Sequence, residues 1–181
     1  GLGVSLFYLG RFEEAIETLS NAARQSPRDY LIYSNLGDTL LVAGRQSEAM
    51  EAYARARALA YENKGVNAND PFIAMDLAWL EAVSGNAAAG LALIEDARAL
   101  VPDDPYVYYT AGLVYHRLSR HEQALESLGR AVELGYPPVL LAKDPLLADL
   151  REDLMEIHFL EDYLPGYFWI FPVGNGLANV G

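Results

Sequence analysis

The stretch Leu36-Gly37…Gly44-Arg45-Gln46-Ser47-Glu48-Ala49…Tyr53…Ala56 decides the fold, because the chain writes it four times. Upstream it reads Leu2-Gly3…Gly10-Arg11-Phe12-Glu13-Glu14-Ala15…Leu19…Ala22. Downstream it returns as Leu77-Ala78…Gly85-Asn86…Gly90…Ile94…Ala97, then as Ala111-Gly112…Ser119-Arg120-His121-Glu122-Gln123-Ala124…Leu128…Ala131. The small residues Gly3, Gly37, Ala78 and Gly112 are 34, 41 and 34 positions apart. Self-similarity at such a period marks a stack of equivalent units, none of which can bury its apolar face alone. Each unit reads as a helix, a turn at Gly or Ser, and a second helix. Gly3 and Gly37 are expected to face Ala15 and Ala49 in their own units, so that antiparallel helices approach closely. Leu6, Leu40, Tyr53 and Leu128 are expected to fill the gaps between successive hairpins. Asp70-Pro71 and Asp104-Pro105 read as helix starts, an acidic cap followed by proline at the first helical position. Pro27 and Pro102 end the helices before them.

With this period and small–large alternation the chain resembles the tetratricopeptide repeat family. The resemblance implies an all-α, right-handed α-solenoid with four repeats over 1–29, 30–70, 71–104 and 105–136, the first one truncated. The chain opens inside the first helix of its first repeat, so it reads as a piece of a longer protein. The 41-residue interval holds seven extra residues around 62–70. Seven residues are about two helical turns, but Gly65 and the Asn-rich composition favour a surface loop over most of this stretch.

Residues 137–164 read as a helical cap. Asp144-Pro145 starts a short helix, Asp153 is placed to cap another, and Leu154, Ile157, Leu160 and Leu164 form an apolar stripe at helical spacing. Gly135-Tyr136, Asp144-Pro145-Leu146-Leu147 and Leu150-Arg151-Glu152-Asp153 resemble the cap that follows such arrays in bacterial serine/threonine kinases, adenylate cyclases and winged-helix regulators. Leu154-Met155-Glu156 departs from the proline–arginine–phenylalanine usual there. The extended tail, 165–181, carries Tyr167, Phe168, Trp169, Ile170 and Phe171 in a row. Each would gain roughly 1.5–3 kcal/mol from full burial. That segment is expected to make contacts, either over its own chain or inside another subunit of a larger assembly.

Composition removes several function classes. The 181 residues hold 13 Lys+Arg against 25 Asp+Glu, a formal charge of −12, which repels nucleic acid and anionic lipid. No stretch approaches the roughly 18 apolar residues of a membrane span. No basic segment precedes an apolar run at the start, and the compartment stays open. Without cysteine there is no thiolate nucleophile. His116, His121 and His158 have no metal-binding spacing, and His121 reads as a packing residue. Asp103-Asp104 reads as a cap rather than a catalytic pair. Gly174-x-Gly176 is followed by too little chain to form a phosphate site. No catalytic residue, metal site or cofactor is predicted.

What remains is surface. The family resemblance places the first helix of each repeat on the concave face. The candidate partner-binding residues are Leu31, Asn35, Asp38, Phe72, Met75, Trp79, Tyr106, Tyr109, Leu113 and His116. Phe7, Tyr8, Ser34, Leu41, Asp76, Thr110 and Arg117 lie on the same side. Tyr and Trp give large contact area with little rotamer entropy to lose, and Phe72, Met75, Trp79, Tyr106 and Tyr109 are expected to form one continuous apolar lining. Residues 133–164 hold eight acidic residues against Lys143 and Arg151, which should leave the concave face comparatively neutral. Chaperone-binding members of the family hold a terminal carboxylate with an asparagine and basic clamp. Asn35 matches that clamp, but Val4, Phe72 and Asp76 stand where Asn, Lys and Arg are needed. The reading is a non-catalytic scaffold for an apolar peptide or protein segment, with a basic residue near Asp38 or Asp76. The alternatives are a sensor region of a larger signalling enzyme and an accessory subunit anchored by its tail.

Overall fold

A computed structural model describes residues 1–156. Helical hairpins follow one another: α1 (Leu2–Tyr8) with α2 (Phe12–Gln25), α3 (Tyr30–Val42) with α4 (Gln46–Val66), α5 (Pro71–Val83) with α6 (Ala87–Leu100), and α7 (Pro105–Arg117) with α8 (His121–Glu133). A short α9 (Pro138–Lys143), a 3-10 segment (Pro145–Leu150) and α10 (Arg151–Glu156) complete the described chain. No strand occurs among the described residues. The helices of one hairpin pack most extensively on each other, and each second helix packs on the first helix of the next hairpin.

Local chemistry sets the boundaries. Asp29, Asp70 and Asp104 cap α3, α5 and α7, each accepting from the backbone N–H two residues on at 2.9–3.0 Å. The turns inside the hairpins use one left-handed residue each: Gly10, Gly44, Gly85 and, without glycine's freedom, Ser119 at φ 57°. The glycines inside the helices have a different role. A Cβ on Gly37 would lie 2.5 Å from the Tyr53 ring, and one on Gly3 or Gly112 would strike Leu19 or Leu128. The gap therefore accepts the large residue one turn beyond the expected alanine. Tyr53 and Leu128 thus fill space within their own hairpins, and Tyr53 also meets Trp79 of the next hairpin, ring centroids 6.5 Å apart. The third hairpin reverses the arrangement. Gly90 sits on the second helix, and its Cβ would press on the backbone of Ala78.

Two expectations on boundaries are corrected. The seven extra residues form helix, not loop: α4 runs 21 residues to Val66, against 14 in α2 and α6. Asp153 does not cap the last helix, which starts at Arg151 and carries Asp153 in its first turn. The extension of α4 adds a polar tie. Tyr61 donates to Glu81 on α5 at 2.8 Å, and Arg57 pairs with the same buried carboxylate at 3.5 Å. At the next interface Tyr115 on α7 donates to Glu95 on α6 at 3.0 Å. Relative to the prolines that open α5 and α7, tyrosine and glutamate have exchanged places. The tail residues Tyr167, Phe168, Trp169, Ile170 and Phe171, with His158 and the stripe from Ile157 on, lie outside the described residues.

Candidate functional site

The first helices of all four hairpins and the 3-10 segment of the cap surround a hollow of about 220 Å³. Of the candidate residues, Leu31, Asn35, Asp38, Met75, Trp79, Tyr106, Tyr109 and Leu113 line it. Phe72 does not. It stands 46% exposed beside the hollow, at the second position of α5. His116 lines an adjoining recess of about 520 Å³ under the cap, which shares Trp79, Leu113 and Leu146 with the hollow.

The wall is continuous but not uniformly apolar. Asp38 accepts from the Tyr53 hydroxyl at 2.7 Å and from Trp79 Nε1 at 2.8 Å, and both bonds end on Oδ1. Asp76 accepts from Tyr30 at 2.7 Å on Oδ2. Asp144 accepts from the Tyr109 hydroxyl and from the Leu146 backbone N–H. The expectation of a neutral concave face is therefore corrected. Burial pushes the Asp38 carboxyl up to about 7, against the pull of its Tyr53 and Trp79 donors, and the Asp144 and Asp76 charges add to the rise. Burial likewise raises Asp76 to about 6, opposed by the Tyr30 bond. Asp144 is also raised, chiefly by burial. Removing a carboxylate from water without a paired cation disfavours its charged form.

One end of the hollow is closed. Tyr8, at the end of α1, lines the hollow with Tyr109 and lies close enough to Tyr109 and Tyr136 for the three phenols to influence one another. Tyr136 stacks on Tyr109, ring centroids 4.5 Å apart, and meets the edge of Tyr106 at 5.4 Å. Trp79 and Leu113 are buried, so they form wall rather than free anchors. Asn35 spends its amide on the Leu31 carbonyl one turn back, at 2.8 Å. The cap is pinned from the other side by His116 to Asp149 at 3.1 Å and His121 to Asp153 at 2.9 Å. His121 thus sits against a surface carboxylate instead of packing in the interior. Among the described residues no group of His, Asp or Glu is arranged to hold a metal. No described helix is long and apolar enough to cross a membrane.

Sequence reasoning missed Leu19, Thr39 and Leu146, which also line the hollow. Leu19 comes from a second helix, through the Gly3 gap, and Leu146 from the cap. The small residue at position 3 was the available signal for Leu19. Leu31, Phe72 and Tyr106 share a further property, since each follows its Asp cap by two positions. They are 45%, 46% and 52% exposed. Equivalent places on successive helices make them a rim of exposed apolar residues beside the hollow.

The sequence profile described as tetratricopeptide repeat matches residues 1–63 and 75–136. A 51-residue stretch is 39% identical to the Hsp70-Hsp90 organising protein of Plasmodium falciparum, covering 28% of this chain and 20% of that protein. The chain thus spans about a fifth of the length of that relative. Among solved structures, TTC0263, a thermophilic TPR protein of Thermus thermophilus, superimposes with a TM-score of 0.57 at 22% identity, over 92% of this chain and 90% of its own. That likeness concerns the fold.

Proposed function

We propose that this chain, which belongs to the tetratricopeptide repeat family, is a non-catalytic scaffold that binds a protein segment on its concave face. The observation that carries the reading is the rim. Leu31, Phe72 and Tyr106 are exposed at equivalent positions of three successive hairpins, beside a hollow lined by the same helices. Exposed apolar groups recurring on one side of a repeat array are what a bound segment covers.

The organising protein to which part of the chain is similar has a name that points to chaperones, but a carboxylate clamp fits this concave face poorly. Asp76 stands where a basic clamp residue is needed, and its charge opposes a terminal carboxylate. Asn35 is occupied within its own helix. The cap motif also supports a structural role over a particular signalling parent. Gly135 takes φ 104°, Tyr136 packs against Tyr109, Asp144 caps the 3-10 segment, and Leu147 and Leu150 are buried. Each motif residue is accounted for by closing the array.

Site-specific photocrosslinking tests the proposal in cells. A benzoyl-phenylalanine at Tyr106 should give protein adducts that the same group at the exposed Glu51 on α4 does not. Equal adducts from both positions would count against the concave face. Leu31→Ala, Phe72→Ala and Tyr106→Ala should each weaken partner binding by about 1 kcal/mol or more, with folding stability changed by no more than about 0.5 kcal/mol.

A further inference from the structure

The hollow differs from an ordinary apolar groove in size, charge and unused hydrogen-bonding capacity. At about 220 Å³ it is below the roughly 300–1,000 Å³ of small-molecule sites, yet far larger than one water needs. Those dimensions suit a single long side chain. Two of its carboxylates keep an oxygen in reserve. Both bonds to Asp38 end on Oδ1, leaving Oδ2 without a donor among the described residues. Tyr30 uses Oδ2 of Asp76, leaving Oδ1. No fully buried side-chain polar atom among the described residues lacks a partner. Asp38 and Asp76 both line the hollow, which places these two oxygens at its wall.

None of the ion pairs among the described residues uses Asp38, Asp76 or Asp144. Arg117 acts on Tyr53, and Arg151 acts on Asp144 from the cap. Residues 157–181 contain no Lys or Arg, so that segment could not supply a strong cation. Trp79, Tyr106 and Tyr109 add aromatic surface, against which a cation is stabilised. The rim is flanked by the capping carboxylates Asp29, Asp70 and Asp104, which extends the same sign of charge along the approach.

We propose that the hollow is a socket for one basic side chain, lysine or arginine, of a partner protein segment whose neighbouring apolar residues rest on Leu31, Phe72 and Tyr106. The proposal rests on the concave face being the partner-binding surface, and adds what that surface selects. The inserted cation donates to Asp38 Oδ2 and Asp76 Oδ1, replacing water at oxygens that the protein leaves unfilled. Charge-assisted bonds of this kind are the strong ones. Because burial holds both carboxyls above their ordinary range, the incoming cation also drives off the proton that Asp38 shares with solvent near neutral pH.

The test pans a phage-displayed random dodecamer library on the full chain, then compares synthetic copies of the selected peptides. Peptides whose capture is lost with Leu31→Ala, Phe72→Ala and Tyr106→Ala should contain Arg or Lys between apolar residues. Replacing that Arg by citrulline, its neutral isostere, or that Lys by norleucine should weaken binding to the unaltered protein by about tenfold. Asp38→Asn or Asp76→Asn should erase the difference between charged and neutral peptides. The isostere comparison needs no variant, so it stands even if Asp38→Asn disturbs Tyr53 and Trp79. Rim-dependent peptides without a basic residue, or equal binding of Arg and citrulline forms, overturn the socket and leave the concave-face reading intact. If no selected peptide depends on the rim, both readings fall.

Discussion

Tyr53 is the residue at which packing and site chemistry meet. Its ring enters the space that Gly37 leaves free, and its hydroxyl continues through that gap to Asp38 on the concave side. A methyl group at position 37 would meet a stiff ring, not a flexible chain end. Gly37→Ala should therefore lower stability by about 1–2 kcal/mol, although alanine is favoured over glycine in helices by about 1 kcal/mol. Urea unfolding with an unchanged slope and an earlier midpoint is the expected readout, and a later midpoint would contradict it. The sequence displays the small residue plainly, but not its mate. Ala49 and Tyr53 are one turn apart on the same face of α4, and only the axial register of the two helices chooses between them. Asp38 was likewise legible as a concave residue. Its charge state was not, because that depends on burial by partners up to 41 positions away.

At the scale of the element, α4 explains how the array tolerates an irregular interval. Seven residues add about two turns, so the longer helix meets α5 with the same face that a shorter one would have presented. The extension reaches Tyr61 to Glu81 and Arg28 to Glu62 at 2.8 Å each. Gly65 and the neighbouring asparagines argued for a loop, since each disfavours helix. Those local preferences are overridden by continuation from a well-packed stem. Gly65 has open space around it, so Gly65→Ala should extend helicity and raise stability by about 0.5–1 kcal/mol. Circular dichroism and the thermal midpoint check this, and a fall in both would place the stretch outside the helix. The helix starts were easier to read. An aspartate before proline or an apolar residue satisfies the free N–H groups by itself, and needs no tertiary partner to do so.

For the whole molecule, the hidden carboxylates set the response to pH. Asp38 and Asp76 bind protons more tightly in the folded chain than an exposed aspartate does. Their relative contribution is fully present below about pH 4 and is lost as pH rises through about 6 to 7. Thermal stability should accordingly rise as pH is lowered from 8 to 5, by about 2–4 °C for each kcal/mol recovered. Asp38→Asn should flatten that slope, which isolates its part from all other titrating groups. A midpoint that falls over the same range, in the unaltered protein alone, would show these carboxyls to be solvated. The repeat architecture was legible because it is periodic and local. The closed end of the hollow was not, since it depends on Tyr8 of the first described helix meeting Tyr109 and Tyr136, a hundred or more positions along the chain.

That meeting has a mechanical meaning. A linear stack of repeats, each touching only its neighbours, frays from its ends and can lose a terminal unit while the rest stands. Here Tyr8 at the end of the first helix lies close to Tyr109 and Tyr136, and Tyr109 donates to Asp144 of the cap. Such a contact across the hollow should couple the first hairpin to the last, so that the two open together when the chain is heated.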